Sequence, residues 1–255
     1  MIEPTIYVPS KGRAGTSKTI ENLIKEGIHF YLVVEPQDLQ KYKQTYSNRE
    51  PIYLVLPENN RGIGFVRQFI LNHARSGTSE WYWMLDDDIS SMSQQVGTKN
   101  VKTTFEFVLR EAAQLFQSCP DLGQGALEYQ QFSWSAKKNL VFNSYCDVAV
   151  FINVKRTYHI NYRPMVDLKE DRDFTLQILA SGLCTARASR FGFAAPKNGS
   201  NEGGLKDVYA QSGREIQAVE RMCELWPGIV EKQIKPDGRV DCKIHWSLFK
   251  KSKGS

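Results

Sequence analysis

The chain has 255 residues, 41% hydrophobic and 24% charged, with a formal net charge of +5, which suits one large α/β core rather than a disordered, fibrous or disulfide-stapled chain. No stretch is long and apolar enough to span a bilayer and no basic segment with a signal core opens the chain, so no membrane association and a cytoplasmic location are expected. Cys119, Cys146, Cys184, Cys223 and Cys242 lie far apart without a CxxC pair, so they read as core thiols and not as a zinc site or disulfide framework.

Thr5-Ile6-Tyr7-Val8 is β-prone, and Pro9-Ser10-Lys11-Gly12-Arg13-Ala14-Gly15 breaks it with small, flexible and basic residues. Thr16 or Ser17 can cap a helix whose Ile20, Leu23 and Ile24 share one face. A strand, a basic loop and a helix N-terminus can together receive phosphate, with Lys11 and Arg13 adding charge. The Walker spacing is absent, so a plain basic turn is the competing reading. Apolar runs at 30–34 and 52–56 flank a polar helix over 38–46. Strands alternating with helices predict a mixed, mainly parallel sheet flanked by helices, with its ligand site at the carboxyl ends of the strands.

After the third strand, Arg61-Gly62-Ile63-Gly64 opens a helix that carries Arg67, and the two glycines allow close backbone approach. Both arginines fall at the expected ligand edge, and Arg67 could equally serve as counter-charge to acids nearby. Those acids come next: the apolar run Trp81-Tyr82-Trp83-Met84-Leu85 stops at Asp86-Asp87-Asp88. Three carboxylates at a buried strand end repel one another unless a cation or basic group faces them, and oxygen ligands beside substrate phosphates suit Mg²⁺ or Mn²⁺. A solvated acidic turn is the alternative.

Tyr7-Val8-Pro9-Ser10-Lys11-Gly12-Arg13 together with Met84-Leu85-Asp86-Asp87-Asp88-Ile89 resembles the GT-A fold glycosyltransferases, and more narrowly the phage and TET-associated DNA glycosyltransferases. The resemblance implies a single Rossmann-like GT-A domain over 1–255, with a nucleotide-sugar half over 1–90 and an acceptor and catalytic half over 91–255. It also implies a UDP-sugar donor bound through Pro9, Ser10, Lys11, Arg13, Arg61, Gly62, Gly64, Arg67, Asp86 and Asp87, with a divalent metal on Asp88. The implied acceptor is DNA carrying a hydroxymethylated pyrimidine such as 5-hydroxymethylcytosine, and a phage origin would place the protein in the host cytoplasm.

Residues 103–116 have the spacing of an amphipathic helix. In 128–138, aromatics interleave with Gln and Lys; Trp134, Lys137 and Lys138 could contact bases and phosphates, or the segment could be a β-hairpin with a basic tip. A strand is expected over 146–152. Lys169-Glu170-Asp171-Arg172-Asp173 then opens a helical segment, where acids suit the N-terminus. The segment resembles the xED motif of GT-A enzymes, which implies Asp171 as the base that takes the acceptor's proton in an inverting reaction, with Glu170 or Asp173 as alternates. A loop over 196–204, containing Lys197, could fold over donor or acceptor. A helix over 214–225 and a strand over 240–246 follow, and by the resemblance His245 completes the metal shell. Three other functions stay open: a GT-A enzyme acting on a glycan, protein or small molecule, a sugar-phosphate nucleotidyltransferase, and a non-catalytic nucleic-acid-binding module that has kept the fold.

Overall fold

The structure, a computed structural model, describes residues 4–48, 51–164, 166, 168–196, 213–236 and 238–249. The alternation expected at the start is present: β1 (Thr5–Pro9), α1 (Lys18–Lys25), β2 (Tyr31–Val34), α2 (Pro36–Thr45), β3 (Ile52–Val55), α3 (Ile63–Ser76) and β4 (Trp81–Leu85). Then follow β5 (Ser91–Val96), β6 (Lys99–Thr103), α4 (Phe105–Gln117), β7 (Leu122–Tyr129), the single turn α5 (Gln130–Ser133), β8 (Leu140–Phe142) and β9 (Ala149–Asn153). The last elements are α6 (Glu170–Ala180), β10 (Cys184–Ala194), α7 (Arg214–Leu225), β11 (Val230–Ile234) and β12 (Val240–Ile244).

The main sheet runs β3-β2-β1-β4-β9-β7-β10-β5-β6, with β8 also on β10. Strands β1 to β4 are mutually parallel where they pair, β9 enters antiparallel between β4 and β7, and β10 returns parallel to β7. Seven strands point one way, and β5, β8 and β9 oppose them, so the sheet is mixed and mainly parallel in direction. The β4 side chains alternate between its two faces. Trp81, Trp83 and Leu85 pack into the core beneath α1 and α4, while Tyr82 and Met84 pack toward α3 and α6. Ser17 caps α1 by accepting the Ile20 N–H at 3.3 Å, and Pro36 at the head of α2 starts that helix two residues earlier than expected.

Strands β5, β7 and β10 were not foreseen. In Gly123-Gln124-Gly125 of β7, a Cβ at Gly125 would lie 2.7 Å from the Phe116 ring. Gly125 lets α4 press directly on the sheet, and Gly123 makes room for Ile178 of α6, which would lie 2.8 Å from a Cβ there. The segment after β7 is not a hairpin, because α5 intervenes and β8 pairs with β10 instead. The strand expected from residue 146 begins only at Ala149, because Val148 has φ +57° and cannot continue an extended run.

A third core unites α7 with the β11–β12 hairpin through Val219, Met222, Trp226, Val230 and Cys242, and it reaches Leu176 of α6. Trp226 Nε1 donates to Asp173 Oδ1 at 2.8 Å, while Gln177 Nε2 and Arg163 occupy Oδ2 at 2.8 and 3.5 Å. Asp173, offered above as an alternate base, is fully buried in this clamp and is a structural residue. Trp226→Phe removes a donor from a buried carboxylate and should destabilise the fold by about 1–3 kcal/mol, read from the urea midpoint. A loss below measurement error would show that Arg163 and Gln177 hold Asp173 unaided.

Candidate active site

The acidic triplet follows the carboxyl end of β4, where the chain turns, and its members differ in burial and in partners. Asp87 turns inward, 6% exposed, where Oδ2 accepts from Ser10 Oγ at 2.5 Å and Oδ1 from Arg13 Nη1. Asp88 keeps 27% of its side chain open, and its Oδ2 is 3.3 Å from the same Arg13 Nη1. The loop after β1 is therefore no plain basic turn, because Arg13 supplies the counter-charge for Asp87 and Asp88 and Ser10 adds a hydrogen bond to Asp87. Burial raises the Asp87 and Asp88 pKa values, and Arg13 opposes it at both. Lys11 is pinned between Glu35 at 3.2 Å and Asn60 at 2.5 Å.

The α1 N-terminus corrects an expectation. It does not stand open to phosphate, because Ser17 Oγ and Thr19 Oγ1 donate to the carbonyls of Asp87 and Asp86 at 2.5 and 2.6 Å, and the Thr19 N–H donates to Asp87 at 3.3 Å. The helix start is filled by the chain's own triplet backbone, which fixes the turn that presents Asp86 and Asp88.

The opposite wall comes from α3 and α6. Gly62, at φ +84°, starts α3, and a Cβ at Gly64 would lie 3.5 Å from the Val166 carbonyl and 3.8 Å from Glu170 Cβ. This close approach brings Arg67, one turn on, within 3.3 Å of Glu170 and 3.4 Å of Asp86. Burial alone would lower the Arg67 pKa; Glu170 and Asp86 outweigh it and hold the guanidinium charged. Glu170 is buried in that pair, whereas Asp171 is half-buried and accepts the Arg172 N–H at 2.7 Å. Arg172 in turn pairs with Asp241 of β12 at 2.6 Å, and Lys169 with Asp241 and Glu215, each at 3.2 Å. Burial opposes ionisation of Asp241, but Arg172 and Lys169 overcome it and hold the pKa down at about 2.

One acid escaped the sequence reading. Asp147 lies beside the triplet, since the Asp86 N–H donates to the Val148 carbonyl at 2.8 Å. Burial first, then Asp171, pushes the Asp147 carboxyl up to about 6. Its signal in the sequence was only the Cys-Asp at the head of an apolar run.

Of the outlying residues, Arg61 pairs with Glu58 at 2.7 Å and lies over the Phe65 ring. His245 Nε2 is 3.0 Å from Glu231 Oε1 of the facing strand. Trp134 is 52% exposed, with its Nε1 on the Gln131 carbonyl at 3.0 Å. Lys137 and Lys138 are exposed nearby. Lys197 and most of the 196–204 loop lie outside the described residues.

A divalent cation, implied by the resemblance, fits the chemistry of the donor set. Asp88 offers a partly open carboxylate beside acids whose pKa values are all raised. Among the described residues no group of three or more His, Cys, Asp or Glu forms a ready cage. One carboxylate plus substrate phosphates is the arrangement Mg²⁺ uses. Burial pushes Asp86 up to about 8 against the pull of Arg67. The unfolded chain ionises Asp86 near the ordinary value of 3.8, so its contribution to stability falls as pH rises from there through about 8. Asp86→Asn should therefore gain stability relative to the parent between pH 5 and pH 8, measured by denaturant unfolding without nucleotide. Parallel pH curves would contradict this.

Similar solved structures include glucosyl-3-phosphoglycerate synthase from Mycobacterium tuberculosis in complex with Mg²⁺ and UDP, at 8% identity and a TM-score of 0.55 over 94% of this chain and 86% of that one. Another is a protein described as a nucleotide-diphospho-sugar transferase from Desulfovibrio desulfuricans G20, at 10% identity and 0.44 over 73% and 80%. The first shows that the fold is of GT-A type. No curated protein matches the chain. No described helix is long and apolar enough to cross a membrane. The family model of the TET-associated glycosyltransferases matches residues 4–204, which include the β1 loop, the acidic triplet, Arg67 and the Glu170-Asp171 pair; the chain belongs to that family and is a glycosyltransferase.

Proposed function

We propose that the protein transfers a sugar from a UDP-sugar to the hydroxyl of 5-hydroxymethylcytosine, or a related hydroxymethylpyrimidine, in DNA, with inversion at the anomeric carbon. The observation that carries the reading is Arg67, which joins the triplet's Asp86 to Glu170, next to Asp171, so that donor-side acids and a partly open carboxylate share one site. Bound at Asp88 with the diphosphate, Mg²⁺ or Mn²⁺ would neutralise the charge of the departing group. Lys11 and Arg13 hold the donor loop, Arg61, Gly62 and Gly64 border the nucleotide, and Asp86 supports the nucleoside side. Asp171 accepts the proton of the attacking hydroxyl, and Glu170, held by Arg67, fixes the helix start that carries it. His245 can join the metal shell through Nε2 only by leaving Glu231. A His245→Ala variant that keeps its affinity for metal and UDP would remove it from that shell. Trp134, Lys137, Lys138 and Lys197 are the proposed DNA contacts. The target base must be extruded or single-stranded, since a paired base is shielded in the duplex.

The test offers hydroxymethylated DNA, unmodified DNA and free sugars to the protein with a panel of labelled UDP-sugars and Mg²⁺ or Mn²⁺, with mass spectrometry of the products. Mass added only to hydroxymethylated DNA, with inverted configuration and activity that falls as salt rises, is the expected result. Transfer to a glycan or small molecule alone would overturn the DNA acceptor, and a retained configuration would overturn Asp171 as base.

A further inference from the structure

We infer that Asp147 is a specificity-determining residue whose Oδ1 receives a hydroxyl of the sugar being transferred. The inference rests on the nucleotide-sugar reading above but not on the nature of the acceptor.

The two oxygens of Asp147 have different environments. Oδ2 accepts from the Tyr129 hydroxyl at 3.1 Å, and the Tyr129 ring is braced against Phe193 with centroids 4.6 Å apart. Oδ1 is enclosed and has no hydrogen-bond partner among the described residues. A buried acceptor left in this state costs about 1–3 kcal/mol, and a second cost sits beside it. The Ala149 N–H closes on the Asp147 carbonyl at 2.6 Å across Val148, at φ +57°, a three-residue turn. A β-branched residue in the left-handed region costs about 1–3 kcal/mol, and such strain gathers at ligand sites. The turn is where β9 leaves the end of β4, so it fixes Asp147 against the acidic triplet.

The charges around Asp147 locate what Oδ1 lacks. Asp171 is its strongest charged neighbour, Asp86 also senses it, and Arg187 and Arg172 partly balance it. Arg187 itself is committed to Glu128 at 3.1 Å and to the face of Tyr145 at 4.2 Å. Positive charge is thus already supplied, and among the described residues no metal cage is built here. The missing element is one uncharged donor between the donor-side carboxylates and the base. The transferred sugar must lie in that interval for the acceptor oxygen to reach its anomeric carbon, and its hydroxyls are neutral donors.

The experiment needs no acceptor. Binding of UDP and of a panel of UDP-hexoses and UDP-pentoses is measured calorimetrically in Mg²⁺, and the tightest UDP-sugar is followed with its monodeoxy analogues. Asp147→Ala and the near-isosteric Asp147→Asn are compared with the parent, and thermal unfolding confirms that each folds. The parent should bind one deoxy analogue roughly 10- to 100-fold more weakly than the full sugar. Asp147→Ala should bind UDP as the parent does, lose roughly that factor for the full sugar, and no longer distinguish that analogue. Equal discrimination in parent and variants would overturn the role of Asp147, as would equal loss of UDP and UDP-sugar. Failure of the parent to bind any UDP-sugar would overturn the donor reading itself, a result distinct from either.

Discussion

Asp171→Asn should lower kcat by a factor of about 10²–10⁴ while the KM for the donor moves little, because general-base assistance acts in the transition state and not in ground-state binding. The amide keeps the shape of the carboxylate and can still accept the Arg172 N–H that orients it at 2.7 Å. What it cannot do is take a proton. Asp171 is suited to this role where its neighbours are not: Glu170 is consumed by Arg67, and Asp173 is enclosed by Trp226, Arg163 and Gln177. Single-turnover transfer with saturating donor separates the chemical step from product release. A variant that keeps more than a tenth of the parent rate would take the base away from Asp171.

Arg67→Met should produce the largest loss of stability, about 3–5 kcal/mol, because it leaves a buried Glu170 and a partly buried Asp86 without their shared cation. Arg67 and Glu170 are 8% and 5% exposed at the side chain, so water cannot substitute for the guanidinium. The double variant Arg67→Met, Glu170→Gln should recover part of the loss, since a buried pair removed whole costs less than one broken. Urea unfolding of the two variants checks both statements. A loss under 1 kcal/mol for Arg67→Met would mean that the two walls are held together by packing alone.

The features legible in the sequence were those written at the ends of strongly patterned segments. Trp81 to Leu85 announces a buried strand, so the acids after it fall at a carboxyl edge, and Glu170-Asp171 opens a helix whose Phe174 and Ile178 mark its buried face. What could not be read depends on partners distant in the chain. The α1 N-terminus looked free for phosphate, yet carbonyls of Asp86 and Asp87, roughly seventy residues away, occupy it. Asp147 was hidden by the left-handed Val148, which moves the strand start past it. Strand β10 carries Arg187 and Arg190 among small residues, and β5 is largely polar, so neither shows the apolar alternation that marks a strand.

The match to the family ends at residue 204, yet the helix that carries Asp171 is anchored by residues that come later. Trp226 holds Asp173, and Asp241 gathers Lys169 and Arg172, so the residues on either side of Asp171 depend on the α7–hairpin layer. Shortening the chain to the matched segment would strip Lys169 of both its acids, take the Trp226 donor from Asp173, and uncover Val166 and Leu176. Such a fragment would keep the β1 loop, the acidic triplet and the Glu170-Asp171 pair and lose the layer that supports the helix carrying Asp171. A chain that keeps Lys169 and Arg172 but ends differently needs another acid to balance them.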